Sequence, residues 1–239
     1  MRATQLSFDD HRRRTGRGGP RPGAGRPRGR RPVVHHVRRE VLPRGCPAHI
    51  TLRTQRDVPS LRRRAFVSEI KRGFAVACQR GDFRVTQFSI QRDHLHLLIE
   101  AENERALARG MKSIAARVAR AANRVFRRSG AVLLGRYHVR ALRTPREVRN
   151  ALAYVLLNVR KHWKQRTGAA PPVRLDEASS ARWFEGWSRR PQPVSSREPP
   201  CVATARTWLL CVGWRRHGLL DPAEVPGSDI RSRRAGVTP

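Results

Sequence analysis

Between residues 48 and 163 the apolar positions switch repeatedly between a two-residue period and a three-to-four-residue period. The run Ala48–Thr54 (AHITLRT) alternates Ile50 and Leu52 with polar neighbours, which predicts a half-buried strand. Residues 60–79 carry Phe66, Ile70, Phe74 and Ala77 at helical spacing and end near Gly81. Phe83–Gln91 and His94–Ala101 read as two strands joined across Arg92-Asp93 in a tight antiparallel hairpin. A second amphipathic helix comes next, with Leu107, Met111, Ile114, Val118, Ala122 and Val125 on one stripe, and Ser129-Gly130 stops it. Residues 132–142 (VLLGRYHVRAL) predict a further strand interrupted by Gly135. Thr144-Pro145-Arg146-Glu147 is a capping box with proline at the first helical position, so a third helix is expected from Pro145 to about Trp163.

The order β-α-β-β-α-β-α without an internal repeat implies an α+β fold, a ferredoxin-like antiparallel sheet with packed helices. On either side the pattern fades. Residues 11–32 combine Gly, Pro and Arg with almost nothing apolar to bury, so residues 1–45 are expected to form a disordered basic arm. Within it Arg28-Gly-Arg-Arg-Pro32 resembles an AT-hook, against the plainer reading of a solvated basic tail. Residues 46–168 are expected to be the catalytic domain, and residues 169–239 an accessory C-terminal tail, partly disordered. In that tail Trp183–Trp187 and Thr207–Leu219 carry four of the five tryptophans and are expected to dock on the body, across a Pro/Ser-rich linker near residues 190–200. The last dozen residues are expected to be disordered.

Composition narrows the partners. The 239 residues hold 51 Lys+Arg against 18 Asp+Glu, a formal charge of +33, which repels itself in a compact fold unless a polyanion such as nucleic acid neutralises it. Almost all of this charge is arginine, whose planar fork grips phosphate oxygens in pairs, although a GC-rich genome also favours arginine codons. No run of 18 apolar residues occurs and the Arg-rich start lacks the apolar core of a signal peptide, so a cytoplasmic protein with no membrane contact is expected. The four cysteines, Cys46, Cys78, Cys201 and Cys211, form no Cys-x-x-Cys pair, which speaks against a zinc ribbon and a disulfide scaffold.

The sharpest local feature is Asp93-His94-Leu95-His96. In a strand, Leu95, Leu97 and Ile99 point one way while His94 and His96 stand together on the other face. Two such imidazoles can converge on one divalent metal, or can be a pair of solvated or hydrogen-bonded strand residues. The expected third helix has an apolar stripe of Val148, Leu152, Val155, Val159 and Trp163. At about 100° per residue Tyr154 falls roughly 140° from the centre of that stripe, with Asn158 roughly 100° away on the same side. Tyr154 and Asn158 therefore form a polar patch off the helix core, able to face the histidines or to be an ordinary surface or interface pair. Leu157 also lies off the stripe, which suggests a further contact such as a second subunit. His162 shares the neighbourhood, as a spare ligand, a phosphate contact or a solvated side chain.

His94-Leu95-His96 on a strand, succeeded by a helix bearing Tyr154-x-x-x-Asn158, resembles the HUH-type transposases with one catalytic tyrosine. Within them the chain is most similar to the insertion-sequence-200-like group and the REP-associated tyrosine transposases. The run Tyr154-Val-Leu-Leu-Asn158-Val-Arg-Lys resembles that family's Tyr-Ile-x-x-Asn-Pro-Val-x, with Val159 in place of the proline, and the similarity covers about residues 46–165. The resemblance implies that His94, His96 and Asn158 bind Mg²⁺ or Mn²⁺ and that Tyr154 is the nucleophile. It further implies a 5′-phosphotyrosine and a free 3′-hydroxyl, formed on single-stranded DNA with a hairpin nearby. A metal on a phosphoryl oxygen neutralises charge and orients an in-line displacement, and a phosphotyrosine keeps the bond energy for strand transfer without ATP.

Arg136, His138, Arg140 and Arg143 before the third helix, with Arg117, Arg120 and Arg124 on the second, are candidates for holding the phosphates of the DNA. Two other classes compete with the transposase: another HUH enzyme such as a replication initiator or relaxase, and a non-catalytic arginine-rich nucleic-acid-binding protein. The pattern leaves monomer and homodimer equally open.

Overall fold

The computed structural model of the chain describes residues 41–77, 81–189, 191 and 198–227. The arm with its AT-hook-like stretch, most of the Pro/Ser-rich linker and the last dozen residues lie outside them. Four strands, β1 (Ala48–Arg53), β2 (Phe83–Ile90), β3 (His94–Ala101) and β4 (His138–Ala141), form one sheet in the order β2-β3-β1-β4. Each neighbouring pair is antiparallel. With α1 (Arg64–Ala77) and α2 (Glu104–Val125) as the two crossovers, this is the ferredoxin-like arrangement, α+β with β1 and β3 in the middle.

Alternation along the strands divides the side chains between two buried faces. On one, Ile50, Leu52, Leu95, Leu97 and Ile99 meet Phe66, Ile70 and Phe74 of α1 and Met111, Ile114 and Val118 of α2. These are the residues that the two periods select. The layers approach closely at Gly110 of α2, where an added Cβ would lie 2.2 Å from the Phe83 ring, so only glycine fits. Asn103 caps α2 by accepting a hydrogen bond from the Ala106 amide at 2.9 Å.

The opposite face is covered by α3 (Pro145–Leu156). Its capping box forms as expected: Thr144 Oγ1 accepts from the Glu147 amide at 3.2 Å, and Glu147 Oε2 accepts from the Thr144 amide at 3.1 Å. Val148, Leu152 and Val155 bury with Leu98 of β3 in a second core. The outer side of α3 is covered in turn by Leu175, Leu209, Leu210, Trp214 and Leu220, so this helix lies between the sheet and the C-terminal segment. That segment adds a short helix at Trp208–Cys211 and 3₁₀ turns at Ala181–Trp183 and Gly213–His217. Of its tryptophans Trp214 is fully buried, while Trp208 stays half exposed.

Buried polar contacts fasten the segment. Arg62 grips the Asp176 carboxylate with both terminal nitrogens, at 2.9 and 2.6 Å, and Arg149 grips Glu224 at 2.6 and 2.7 Å. Glu100, 1% exposed, accepts from the Arg206 and Thr207 amides and from Arg84 Nε.

Three expectations change. The strand expected over residues 132–142 pairs as a strand only from His138, because Gly135 turns the chain at φ +67°, and Leu133 contributes a single bridge to Thr54. The helix expected over 60–79 starts at Arg64, since residues around Arg62 are drawn off to pair with Asp176. The helix expected to run to Trp163 breaks at Leu157, φ −113° and ψ +14°, and resumes as α4 (Asn158–Thr167). The break rotates the downstream helix about its axis, so Asn158 and Arg160 are buried, Val159 is half-buried and Trp163 is 39% exposed. Arg160 holds the new register by donating to the Pro172, Ala223 and Glu224 carbonyls. Leu157, expected to meet something beyond its own helix, packs in the second core, where the C-terminal segment covers α3.

Candidate functional site

The second face of the sheet is where polar side chains gather. Cross-strand partners share a face, so the pairings Thr51 with His96, Arg53 with His94, His138 with Thr51 and Arg140 with His49 place all seven on the α3 side. His96 is 4% exposed, which corrects the picture of two histidines standing on an open face: α3 roofs them.

The histidines form a chain of contacts. Asp93 Oδ1 lies 2.7 Å from His94 Nδ1, His94 Nε2 lies 3.0 Å from His96 Nε2, and His96 Nδ1 lies 3.2 Å from both His49 Nε2 and Thr51 Oγ1. The Tyr154 ring stands edge-on to His96 and His49, with centroids 5.0 and 5.8 Å apart, and Lys161 Nζ sits 4.9 Å from its centre. The rotation angle read from the sequence thus brings Tyr154 to the histidines. Tyr137, the only other tyrosine, packs against the α1/α2 core.

Burial decides the charge state here. It pushes the His96 pKa down to about 2, helped by His49, His94, His162 and Arg53, and it pushes His49 down to about 4, helped by Arg140 and His138. Both rings are neutral at pH 7, the form in which an imidazole nitrogen offers its lone pair. The hydrogen bond from His94 holds the Asp93 carboxyl below its ordinary value.

Asn158, fully buried, has neither side-chain nitrogen nor oxygen hydrogen-bonded. Leaving such a group unsatisfied costs about 1–3 kcal/mol, which a protein tolerates where the atom has another use. The sequence placed Asn158 clear of the packing, and the structure buries it, because the break at Leu157 turns it inward. Among the described residues no group of three or more His, Cys, Asp and Glu side chains is arranged to hold a metal ion. Two imidazoles with an amide oxygen are a different donor set, and two observations fit it. The amide oxygen is orphaned, and the two Nε2 atoms stand 3.0 Å apart, the distance between the ends of two bonds of about 2.1 Å meeting at a right angle.

The basic residues named from the sequence separate into two groups. His138 and Arg140 lie on the α3 side of the sheet beside His49 and Thr51, with Arg140 also 3.1 Å from Glu147. Arg136 and Arg143 flank β4 and are exposed. Arg117, Arg120 and Arg124 instead line a hollow of about 220 Å³ with Glu69 and Arg72, between α1 and α2, and Arg124 pairs with Glu69 at 2.8 Å. That is the other side of the sheet, so these three do not share a groove with Tyr154. His162 bonds Gln165 at 3.2 Å.

Sequence reasoning missed His49, Thr51, Arg53 and Lys161. The signal for the first three was present: in AHITLRT the polar positions alternate with Ile50 and Leu52, and an antiparallel β1–β3 pairing puts them beside His94 and His96. Lys161 had none, since its approach to Tyr154 depends on the break at Leu157.

Residues 44–140 match the family model described as "Transposase IS200 like". This stretch of the chain is an IS200-like transposase sequence, as its motifs suggested. The match takes in His49, His94 and His96 and stops before Tyr154 and Asn158. No curated protein matches the chain. Among solved structures, similar folds occur in a REP-associated tyrosine transposase bound to a REP hairpin (15% identity, TM-score 0.43, 54% of this chain and 74% of that one). They occur also in a bacterial tRNA(His) guanylyltransferase-like protein in complex with GTP (13%, TM-score 0.37, 54% and 70%). Likenesses this distant carry no functional argument.

Proposed function

We propose that this protein is a DNA-cutting and DNA-joining transposase that works through Tyr154. The observation that carries the reading is the meeting of Tyr154 with His96 and His49, on the same face as His94 and beside the orphaned Asn158. The Tyr154 oxygen attacks a backbone phosphorus of single-stranded DNA. The bond from phosphorus to the 3′ oxygen breaks, the proton ends on that oxygen as a 3′-hydroxyl, and a 5′-phosphotyrosine remains. Attack by another 3′-hydroxyl reverses the step and joins new ends. His94, His96 and Asn158 are the residues that would hold Mg²⁺ or Mn²⁺, and such an ion would neutralise charge on the phosphoryl oxygens. His96, neutral and fixed from its Nδ1 side, keeps its other nitrogen directed toward His94. His138 and Arg140 would receive the neighbouring phosphates, and the substrate is single-stranded DNA carrying a hairpin. Residues 46–168 would form the catalytic unit, with the tail as accessory clamp on α3 and residues 1–45 as a basic arm for DNA.

The test is denaturing gel electrophoresis of protein mixed with end-labelled hairpin oligonucleotides in Mg²⁺ or Mn²⁺. The parent and Tyr137→Phe should trap labelled DNA covalently, and Tyr154→Phe should not, while still binding it. An adduct that persists in Tyr154→Phe and vanishes in Tyr137→Phe would overturn the assignment. No adduct with any protein or substrate would favour a non-catalytic nucleic-acid-binding role, to which the charge of +33 also lends itself.

A further inference from the structure

We propose that His49 is a positioning residue for His96: its ring takes the hydrogen on His96 Nδ1 and thereby fixes which His96 nitrogen is left to bind a metal. This role rests on the metal reading above and belongs to a residue that the His-Leu-His motif does not contain.

The protons can be placed one by one along the chain Asp93–His94–His96–His49. A carboxylate can only accept, so His94 carries its hydrogen on Nδ1, directed at Asp93, and presents a bare Nε2. The same is needed of His96: a neutral imidazole has one hydrogen, and Nε2 is free for a metal only when that hydrogen sits on Nδ1. Two atoms lie near His96 Nδ1, His49 Nε2 and Thr51 Oγ1, both at 3.2 Å. A hydroxyl rotates and donates or accepts with equal ease, so Thr51 selects neither form. His49 is held in one place. Its ring lies 5.1 Å from the His96 ring and 5.8 Å edge-on to Tyr154, and its strand neighbour Arg140 stands on the same face. With its own hydrogen on Nδ1, its Nε2 is an obligate acceptor for the His96 Nδ1–H. Asp93 and His49 then play the same part for the two histidines of the motif, one from the exposed end and one from the buried end. Outer groups of this kind orient a ligating imidazole and are worth about 10–100-fold in metal affinity.

The experiment measures Mn²⁺ binding by titration calorimetry and histidine tautomers by long-range ¹H–¹⁵N NMR, on the full chain without DNA. The parent should bind Mn²⁺ with His96 protonated on Nδ1. His49→Phe should keep the ring volume, lose about 10–100-fold in affinity and show His96 in mixed tautomers. His49→Gln, whose amide oxygen accepts a hydrogen bond, should recover most of the affinity, a rescue that simple packing does not give. Thr51→Val should change the affinity by less than His49→Phe does. Parent-like affinity and tautomer in His49→Phe would overturn the proposal even where His96→Ala abolishes binding, and so would a larger loss in Thr51→Val. If the parent binds no Mn²⁺ and His96→Ala changes nothing, the metal reading itself fails and the role of His49 falls with it. Should His49→Phe not fold, the comparison of His49→Gln with Thr51→Val still decides.

Discussion

The two faces of the sheet are built by opposite rules. On the α1/α2 face Ile50, Leu52, Leu95, Leu97 and Ile99 point inward, and two amphipathic helices close over them with apolar side chains of their own. On the α3 face the same strands present Thr51, His49, His94 and His96, and the covering helix ends on a buried amide with no partner. A core optimised only for stability would look like the first face twice over. The second face gives up hydrogen bonds and charge solvation at the positions where Tyr154 meets the histidines, as functional sites commonly do.

Substitutions on adjacent residues of β3 put that contrast under most strain. His96→Ala should lower covalent DNA capture by more than about a hundredfold while moving the thermal midpoint little, because the ring contributes a ligand more than packing. Leu97→Ala, one position along and facing α1/α2, should cost about 2–5 kcal/mol of stability by urea titration and leave capture intact in whatever protein remains folded. If His96→Ala proved as destabilising as Leu97→Ala, the histidine face would be an ordinary core.

The orphaned amide offers a second test with reversed signs. Asn158→Leu removes two unsatisfied buried atoms at similar volume and should leave the melting temperature unchanged or raise it by the equivalent of about 1 kcal/mol, while abolishing capture. A clear loss of stability would show that the amide is satisfied within the fold.

The smallest effect is the pH response. His49 and His96 have folded pKa values of about 4 and about 2, below the ordinary 6.5. The unfolded chain therefore takes up protons first as the pH falls, and stability, complete above pH 6.5, is lost progressively from there toward pH 4 and below. With a chelator present the urea midpoint should fall between pH 7 and pH 5, and His49→Gln should flatten part of that slope. A midpoint independent of pH over this interval would mean that the two rings are solvated.

The sequence made these faces unequally legible. Strand alternation and helical spacing identified the α1/α2 core residue by residue, because there the local pattern and the tertiary packing agree. Tyr154 and the two motif histidines were legible too, from one rotation angle and one strand period. Asn158 was named, but its burial was not foreseen, since periodicity carries no warning of a backbone break at Leu157 that replaces Val159 and Trp163 with Asn158 and Arg160. His49 belonged to a strand whose pairing partner is 47 residues away, and single-residue alternation says which residues share a strand face but not which strand lies alongside. The C-terminal contribution was visible only as a cluster of tryptophans, because Arg62–Asp176 and Arg149–Glu224 join positions more than 70 residues apart.

The clamp on α3 separates the boundary of chemistry from the boundary of solubility. Every residue assigned to the reaction lies before Gly168, and a shortened protein ending there would contain the whole site. It would also bare the flank of α3 now covered by Leu209, Leu210, Trp214 and Leu220, and leave Arg160 without its carbonyl acceptors at Ala223 and Glu224. Such a fragment would expose a continuous apolar strip and associate through it. For expression, for domain swaps and for any lineage that exchanges tails between transposases of this kind, the indivisible unit therefore extends from the first strand to Glu224.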